Sequence, residues 1–555
     1  MVDVPICVLV YNTVWDNIGI RNSEITFGSL RFLLYYCSVM SNLVFSDYQL
    51  DIFDSIENKD SNIVINAVAG SGKTTTIVEA CKRLEEDERN VIFLAFNNHI
   101  ADKLKVELKG YAQASTLHSF GFSILKRLYN FPEYGMKIKV DDWKYRKYVM
   151  NNIFNLSSLI KPDTDAARVY GFCCNVAKLF SLARVNLIKH SDKDLSKLRN
   201  LCDEHNMITL YDEVNVVNIL LANAYKMPKD LVIDYTDMIV LPLFHKDAIP
   251  SYKFVFIDEC QDLNMAEREL MLCASRNGRF VAVGDRRQAI NGFAGADCLS
   301  FDRIAAQEDT IELPLSVNYR CGKKMIELAQ DIVPQIEAHN GAINGEISET
   351  KELTKSLFKS NDMVLCRKAA PLVGICMKLI ESGVTAIVKG KDIGEDLKNI
   401  VAGANTKNIK EVLSYLEDEK QKVVNAVREQ RKCTEAEAKN SMRYINFADR
   451  CKCIENICQH SIKNANELKS YIDRIFSDDN VKNAVILSTV HKAKGLEANR
   501  VIILLPDKLP LKFPRQKEWE LKQEMNLKYV ALTRAKKELI FVNLTESELV
   551  KQNIK

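Results

Sequence analysis

Short apolar runs recur along the chain, each closed by a polar or glycine-bearing turn. The first half holds Ile63-Val64-Ile65, Val91 to Ala95, Phe254 to Ile257 and Phe280 to Val283. The second half holds Met363 to Cys366, Thr385 to Val388, Val485 to Leu487, Val501 to Leu505 and Leu539 to Val542. Runs apolar at every position predict strands buried on both faces, as in parallel sheets covered by helices. Between them lie stretches with apolar residues at helical spacing, such as Ile77, Cys81 and Leu84. The expected class is therefore α/β, with two parallel-sheet domains. Residues 40–120 and 236–310 are expected to form the first, and 311–390 and 481–555 the second. Each is interrupted by a helical insertion, at 121–235 and 391–480. Residues 1–39 carry no motif and read as an extension, with Met40 as the expected natural start.

The 555-residue length fits several domains rather than one core. Apolar content of 47% and charged content of 27% exclude global disorder. The net charge of +3 confines any nucleic-acid surface to a local groove. Sixteen cysteines without a defensible secretory leader suggest reduced thiols in a cytoplasmic or nuclear-type compartment. The apolar stretch from Phe32 to Phe45 is too short to span a membrane, and no membrane partner is expected. Cys433, Cys451, Cys453 and Cys458, with His460 nearby, could ligate zinc or an iron-sulfur cluster. Their spacing matches no pair of C-x-x-C knuckles, and buried helix cysteines are the better reading.

Chemistry begins at Ala67-Val68-Ala69-Gly70-Ser71-Gly72-Lys73-Thr74-Thr75-Thr76, between an apolar run and an amphipathic helix. It reads as a phosphate-binding loop: glycines admit phosphate to backbone N–H groups, Lys73 reaches the β- and γ-phosphates, and Thr74 can ligate Mg²⁺. Ala67 stands where the pattern's first glycine belongs. The run Phe254 to Ile257 delivers Asp258 and Glu259, suited to Mg²⁺ coordination and to orienting an attacking water. After Val283, Gln288 can sense a γ-phosphate and Phe293 can stack on a base; Arg320 can neutralise transition-state charge and Tyr319 can stack on a purine. Phe96 and Asn97 follow a strand end, where open sheets place ligands, and Ser115 to Phe120 reads as a loop. His118 by itself reads as a core histidine. Basic and aromatic residues alternate from Trp143 to Tyr148, as a nucleic-acid track or a solvated helix face would require. The apolar positions Leu413, Leu416, Val423 and Val427 make the second insertion a helical packing layer in preference to a partner-binding arm.

Taken in order, these segments, with Ser488 to Glu497 and Tyr529 to Ala535, resemble the UvrD/Rep-like branch of superfamily 1 helicases. The resemblance covers roughly residues 45–545. It implies two RecA-like domains clasping ATP and Mg²⁺, each with a helical insertion, while single-stranded DNA crosses both. By that resemblance Gln49 reads adenine and Tyr319 stacks on it. Lys73, Thr74 and Asp258 hold phosphate and Mg²⁺, Glu259 is the catalytic base, and Gln288 senses the γ-phosphate. Arg320 and Arg534 come from the second domain, and Glu497 meets the ribose. Phe96, Asn97, Thr116, His118, Phe293, Thr489 and His491 match positions that touch the strand. Many relatives carry Tyr and Arg where Asn291 and Ala294 stand, which puts one stacking and one charged contact in doubt. The implied activity is 3′ to 5′ translocation and unwinding on single-stranded and tailed duplex DNA, in repair, replication or recombination. Its rivals are a translocase that strips proteins without unwinding, a binding scaffold with little ATPase, and an RNA substrate.

Overall fold

In the computed structural model the apolar runs gather into two six-stranded sheets, in both of which all neighbouring strands are parallel. The structure describes residues 44–131, 135–158, 160–161, 166–191, 194–205, 207, 212–290, 299–460, 462–478, 481–514, 516–552 and 554. The expected extension 1–39, Phe293 and the positions of Asn291 and Ala294 lie outside these described residues. Of the described residues, 44–51 belong to a unit separate from the compact body that begins at Ile52.

The first sheet contains β1 (Asn62–Ala67), β2 (Val91–Ala95), β3 (Gln113–Thr116), β4 (Phe254–Ile257), β5 (Arg279–Gly284) and β6 (Thr310–Leu315), in the order β3-β2-β4-β5-β1-β6. Register aligns Asn66 with Gly284, Ile257 with Ala282, Leu94 with Ile257 and Ala95 with Thr116. The residues that follow β1, β4, β5, β2 and β3 therefore emerge along one edge, the carboxyl edge where parallel sheets bind ligands.

The second sheet contains β7 (Glu346–Thr350), β8 (Met363–Cys366), β9 (Ala386–Val388), β10 (Val485–Thr489), β11 (Ala498–Leu504) and β12 (Ala535–Val542), ordered β7-β12-β11-β8-β10-β9. Its strands are sorted by the two-residue pleat. Met363, Leu365, Val501, Ile503 and Leu539 enter one core, while Val364, Cys366, Ile502, Leu504 and Ile540 enter the core on the opposite face.

Within the two six-stranded sheets, three strands have no counterpart among the apolar runs: β3, β6 and β7. All three are sheet edges. With one side open they carry polar residues, and β6 tolerates Pro314 because an edge strand has spare N–H positions. The segment Ser115 to Phe120, expected as a loop, is instead the end of β3 running directly into the helix Leu117–Tyr129. Likewise β6 pairs with β1 through Leu315, so the first sheet crosses the expected boundary at residue 310.

The first insertion has its own core, in which Val149 and Ile153 of the helix Lys144–Leu156 meet Phe172, Val176 and Phe180 of the helix Ala166–Val185. Below it, the buried Arg184 pairs with Asp234 at 2.5 Å and Asp237 at 2.6 Å, and Lys144 reaches Asp237 at 2.9 Å. In the second insertion Leu416 is buried in the sheet's own core and Leu413 packs against it, while Val423 and Val427 form a separate small cluster with Val424 and Ala438. Cys451 and Cys453 sit fully buried in that core on the helix Met442–Cys458, and burial pushes the Cys451 thiol up to about 12. His460 pairs with Glu381 at 2.7 Å.

Candidate active site

The loop after β1 bends because Gly70 and Gly72 take φ of 67° and 77°, which residues with a Cβ resist. Gly70 is also hemmed in: a Cβ there would lie 2.7 Å from the Arg320 Cβ. Ala67, by contrast, is still the last residue of β1, so the departure from the glycine pattern falls where extended backbone suits any small residue. Gly72 caps the helix Lys73–Arg83, directing its first N–H groups to the mouth of the loop.

Lys73 Nζ lies 3.5 Å from Glu259 Oε1. Burial would lower its pKa, but the carboxylates of Glu259, Asp285 and Asp258 outweigh burial and raise it. The Thr74 hydroxyl donates to Asp258 Oδ2 at 2.6 Å. Burial, with repulsion from Glu259, pushes Asp258 up to about 6. Glu259 is opposite in sense: despite burial, Lys73 and Lys494 hold it down to about 2. Two adjacent carboxyls thus differ in acidity because Glu259 faces both Lys73 and Lys494, whereas for Asp258 burial and the Glu259 charge outweigh Lys73 and the Thr74 hydroxyl. Thr74 and Asp258 form an all-oxygen donor set that suits Mg²⁺. Glu259 itself sits in the left-handed region at φ 54°, and Gln261 Nε2 donates to its Oε2 at 2.5 Å.

The next strand end adds a sensor layer. Gln288, buried, donates through Nε2 to Asp285 Oδ2 at 2.9 Å, and its backbone carbonyl accepts from Lys494 Nζ at 2.7 Å. Lys494, which also pairs with Asp262, belongs to the segment after β10, so it ties the second domain to the strand ends of the first.

Two arginines close the site from the second domain's side. Arg320 Nε lies 2.5 Å from Glu497 Oε2 without hydrogen-bond alignment, and Lys536 Nζ is 2.5 Å from the other Glu497 oxygen. Arg534 is fully buried, its guanidinium donating to the carbonyls of Val530 at 2.9 Å and Leu496 at 3.1 Å and to Thr533 Oγ1 at 3.1 Å. Burial and the nearby Arg320 charge lower it to about 10. Dipoles orient this cation, and an anion arriving beside it would meet a charge only partly compensated.

Tyr319 keeps 41% exposure and stacks on His339 at a ring separation of 5.4 Å. Gln49 lies on the helix Asp47–Asn58, buried, its Oε1 accepting from the Ser46 N–H at 3.0 Å.

Of the residues expected on the strand path, Phe96 is 52% exposed, and Asn97 caps the helix Asn98–Glu107 through the Ile100 N–H at 2.9 Å. Thr116 is buried and caps its helix through Ser119, and His118 meets the exposed Tyr235 edge to face at 6.4 Å. Burial lowers the His118 pKa. Thr489 and His491 line a cavity of about 290 Å³ with Arg367, Lys492 and Trp519. Burial, with Arg367 and Lys492, drives His491 well below the usual range, so it is neutral at pH 7. Reading the chain missed Asp285, Lys494, Tyr235, Asn318 and Tyr529. Each stands inside or beside a segment that drew notice, but its role depends on which partner the fold supplies.

Two family models match the chain in order: the UvrD/REP helicase N-terminal domain over residues 51–308 and the UvrD-like helicase C-terminal domain over residues 391–546. A Staphylococcus aureus protein named ATP-dependent DNA helicase PcrA is 22% identical over 303 residues, covering 50% of this chain and 39% of the relative. The Schizosaccharomyces pombe F-box DNA helicase protein 1 is 23% identical, covering 87% of this chain and 56% of the relative. The ATP-dependent DNA helicase srs2 of the same yeast is 23% identical, covering 63% and 42%. The chain thus spans about half the length of these curated relatives or less. With both helicase models matched in sequence order over two parallel α/β sheets, the chain belongs to the UvrD/Rep-like branch of the superfamily 1 helicases.

Proposed function

We propose that the chain is an ATP-driven motor on single-stranded DNA that moves 3′ to 5′ and unwinds tailed duplexes in repair, replication or recombination. One observation carries the reading: the loop holding Lys73, with Asp258 and Glu259, is faced by Arg320 and Arg534 from the other side of the cleft. The residues divide the work of phosphoryl transfer. The loop N–H groups and Lys73 hold the phosphates, and Glu259, ionised at neutral pH, orients a water and accepts its proton. Arg320 and Arg534 stabilise charge that develops on the γ-phosphate. Gln288, tied to Asp285 and to Lys494 of the second domain, reports that phosphate's presence. Thr74 and Asp258 would hold Mg²⁺, which neutralises phosphate charge when bound.

Binding closes the two sheets on the nucleotide and hydrolysis releases them. If grip on the strand passes between the Phe96 and His118 surface and the Thr489 and His491 cavity, closure becomes a step. Base stacking of about 1–3 kcal/mol each is strong enough to hold and weak enough to release. ATPase stimulation and unwinding on 3′-tailed, 5′-tailed and RNA substrates test the reading side by side. The expected result is DNA-stimulated turnover with unwinding from 3′ tails. Stimulation without unwinding at any tail length would favour a protein-stripping translocase, and turnover indifferent to DNA would overturn the motor.

A further inference from the structure

The first half of the phosphate loop is held from outside the sheet that bears it. Val68 and Ala69 are buried in the same apolar core as Met325, Val501 and Val530, all from the second domain. Both polar atoms of Ala69 are taken by side chains from that side. Its N–H donates to the Tyr529 hydroxyl at 2.8 Å, and its carbonyl accepts from Asn318 Nδ2 at 2.6 Å. The next carbonyl, that of Gly70, accepts from the Tyr319 N–H at 2.9 Å. Asn318 is itself locked, its Oδ1 accepting the N–H groups of Arg320 at 2.8 Å and Cys321 at 2.7 Å. Asn318 and Tyr529 are fully buried.

A buried peptide must satisfy its N–H and its carbonyl, so the partners decide which way it faces. At Ala69 those partners come from the segment after β6 and from the helix Glu518–Leu532, not from the loop's own sheet. The N–H groups from Gly70 to Thr75 follow directly, and their aim depends on the orientation of the peptide before them. Resting on the reading that this loop binds a nucleoside triphosphate, we propose that Asn318 and Tyr529 are positioning residues. From the second domain they hold the Ala69 peptide, so the loop takes its nucleotide-binding shape only while that domain is seated against it. Nucleotide affinity and domain seating are then linked, each strengthening the other by the same factor.

The test is equilibrium binding of a fluorescent N-methylanthraniloyl ATP, with Mg²⁺ and without DNA, to the full chain. Tyr529→Phe keeps the buried ring and removes only the hydroxyl. Asn318→Asp keeps the acceptor for Arg320 and Cys321 but turns a carboxylate oxygen toward the Ala69 carbonyl. Each variant is expected to bind about tenfold more weakly, the scale of one lost hydrogen bond to a buried group. In turnover, KM for ATP should rise more than kcat falls. The double variant should be close to the weaker single, because both act on one peptide. Melting temperatures that fall while affinity and KM stay at wild-type values would overturn the proposal, as would fully multiplicative losses. Wild-type chain that fails to bind the analogue, alongside an equally inert Lys73→Ala control, would instead sink the nucleotide site and this role with it.

Discussion

Lys73→Ala removes the one ammonium that faces three carboxyl groups, and both activity and stability should register it. At an effective dielectric of about 20, unit charges 3.5 Å apart, the Lys73 to Glu259 separation, attract by about 5 kcal/mol. A triphosphate oxygen in the loop would gain a similar amount, so turnover should fall by about three orders of magnitude or more. The resting protein should also lose stability, because Asp258, Glu259 and Asp285 keep their mutual repulsion without the cation. The sign with pH follows from the carboxyls. Glu259 is held down to about 2 in the folded wild type, so its favourable contribution is complete above about 4.5 and lost as pH falls through 2. Asp258 has a folded pKa raised to about 6, so it favours the folded state below about 4 and loses that as pH rises through 6. Without Lys73 both shift upward and take up protons earlier. The gap in melting temperature between wild type and Lys73→Ala should therefore be widest near pH 8 and narrow toward pH 5. Melts across that range, with steady-state ATPase at pH 7.5, check both halves. A variant turning over within tenfold of wild type, or a gap that widens toward acid, would refute the electrostatic account.

Glu259→Gln should reduce turnover at least about a thousandfold while leaving nucleotide binding nearly intact, measured by single-turnover hydrolysis and by fluorescent-ATP titration; it removes the base but keeps a group for Gln261 to meet. Mg²⁺-dependent nucleotide binding should weaken about tenfold per unit below about pH 6, as Asp258 takes up the proton that competes with the cation, and titrations at pH 7, 6 and 5 would expose a flat profile if Asp258 is not a ligand. Phe96→Ala removes a side chain that is 52% exposed, so single-stranded DNA should bind about tenfold more weakly by fluorescence anisotropy with the melting temperature nearly unchanged. A drop in stability without a change in affinity would return Phe96 to the packing.

Sequence alone determined whatever depends on local pattern: β2, β4 and β8 coincide with apolar runs to the residue, because strands buried on both faces have no polar positions. It also singled out Lys73, Thr74, Asp258 and Glu259, which the fold brings together, since glycines and charged groups at strand ends mark themselves by type and spacing. Tertiary structure decided the edges. β3, β6 and β7 are half solvated, so their composition resembles that of turns, and only the neighbour they pair with makes them strands. It also decided which charges share a site. Nothing near Lys494 in the chain indicates Asp262 or the Gln288 carbonyl, which lie 232 and 206 residues away. Ala69 meets Tyr529 across 460 residues. Such partners are brought together by packing two sheets, which is a property of the whole fold, whereas periodicity and residue type are properties of a window.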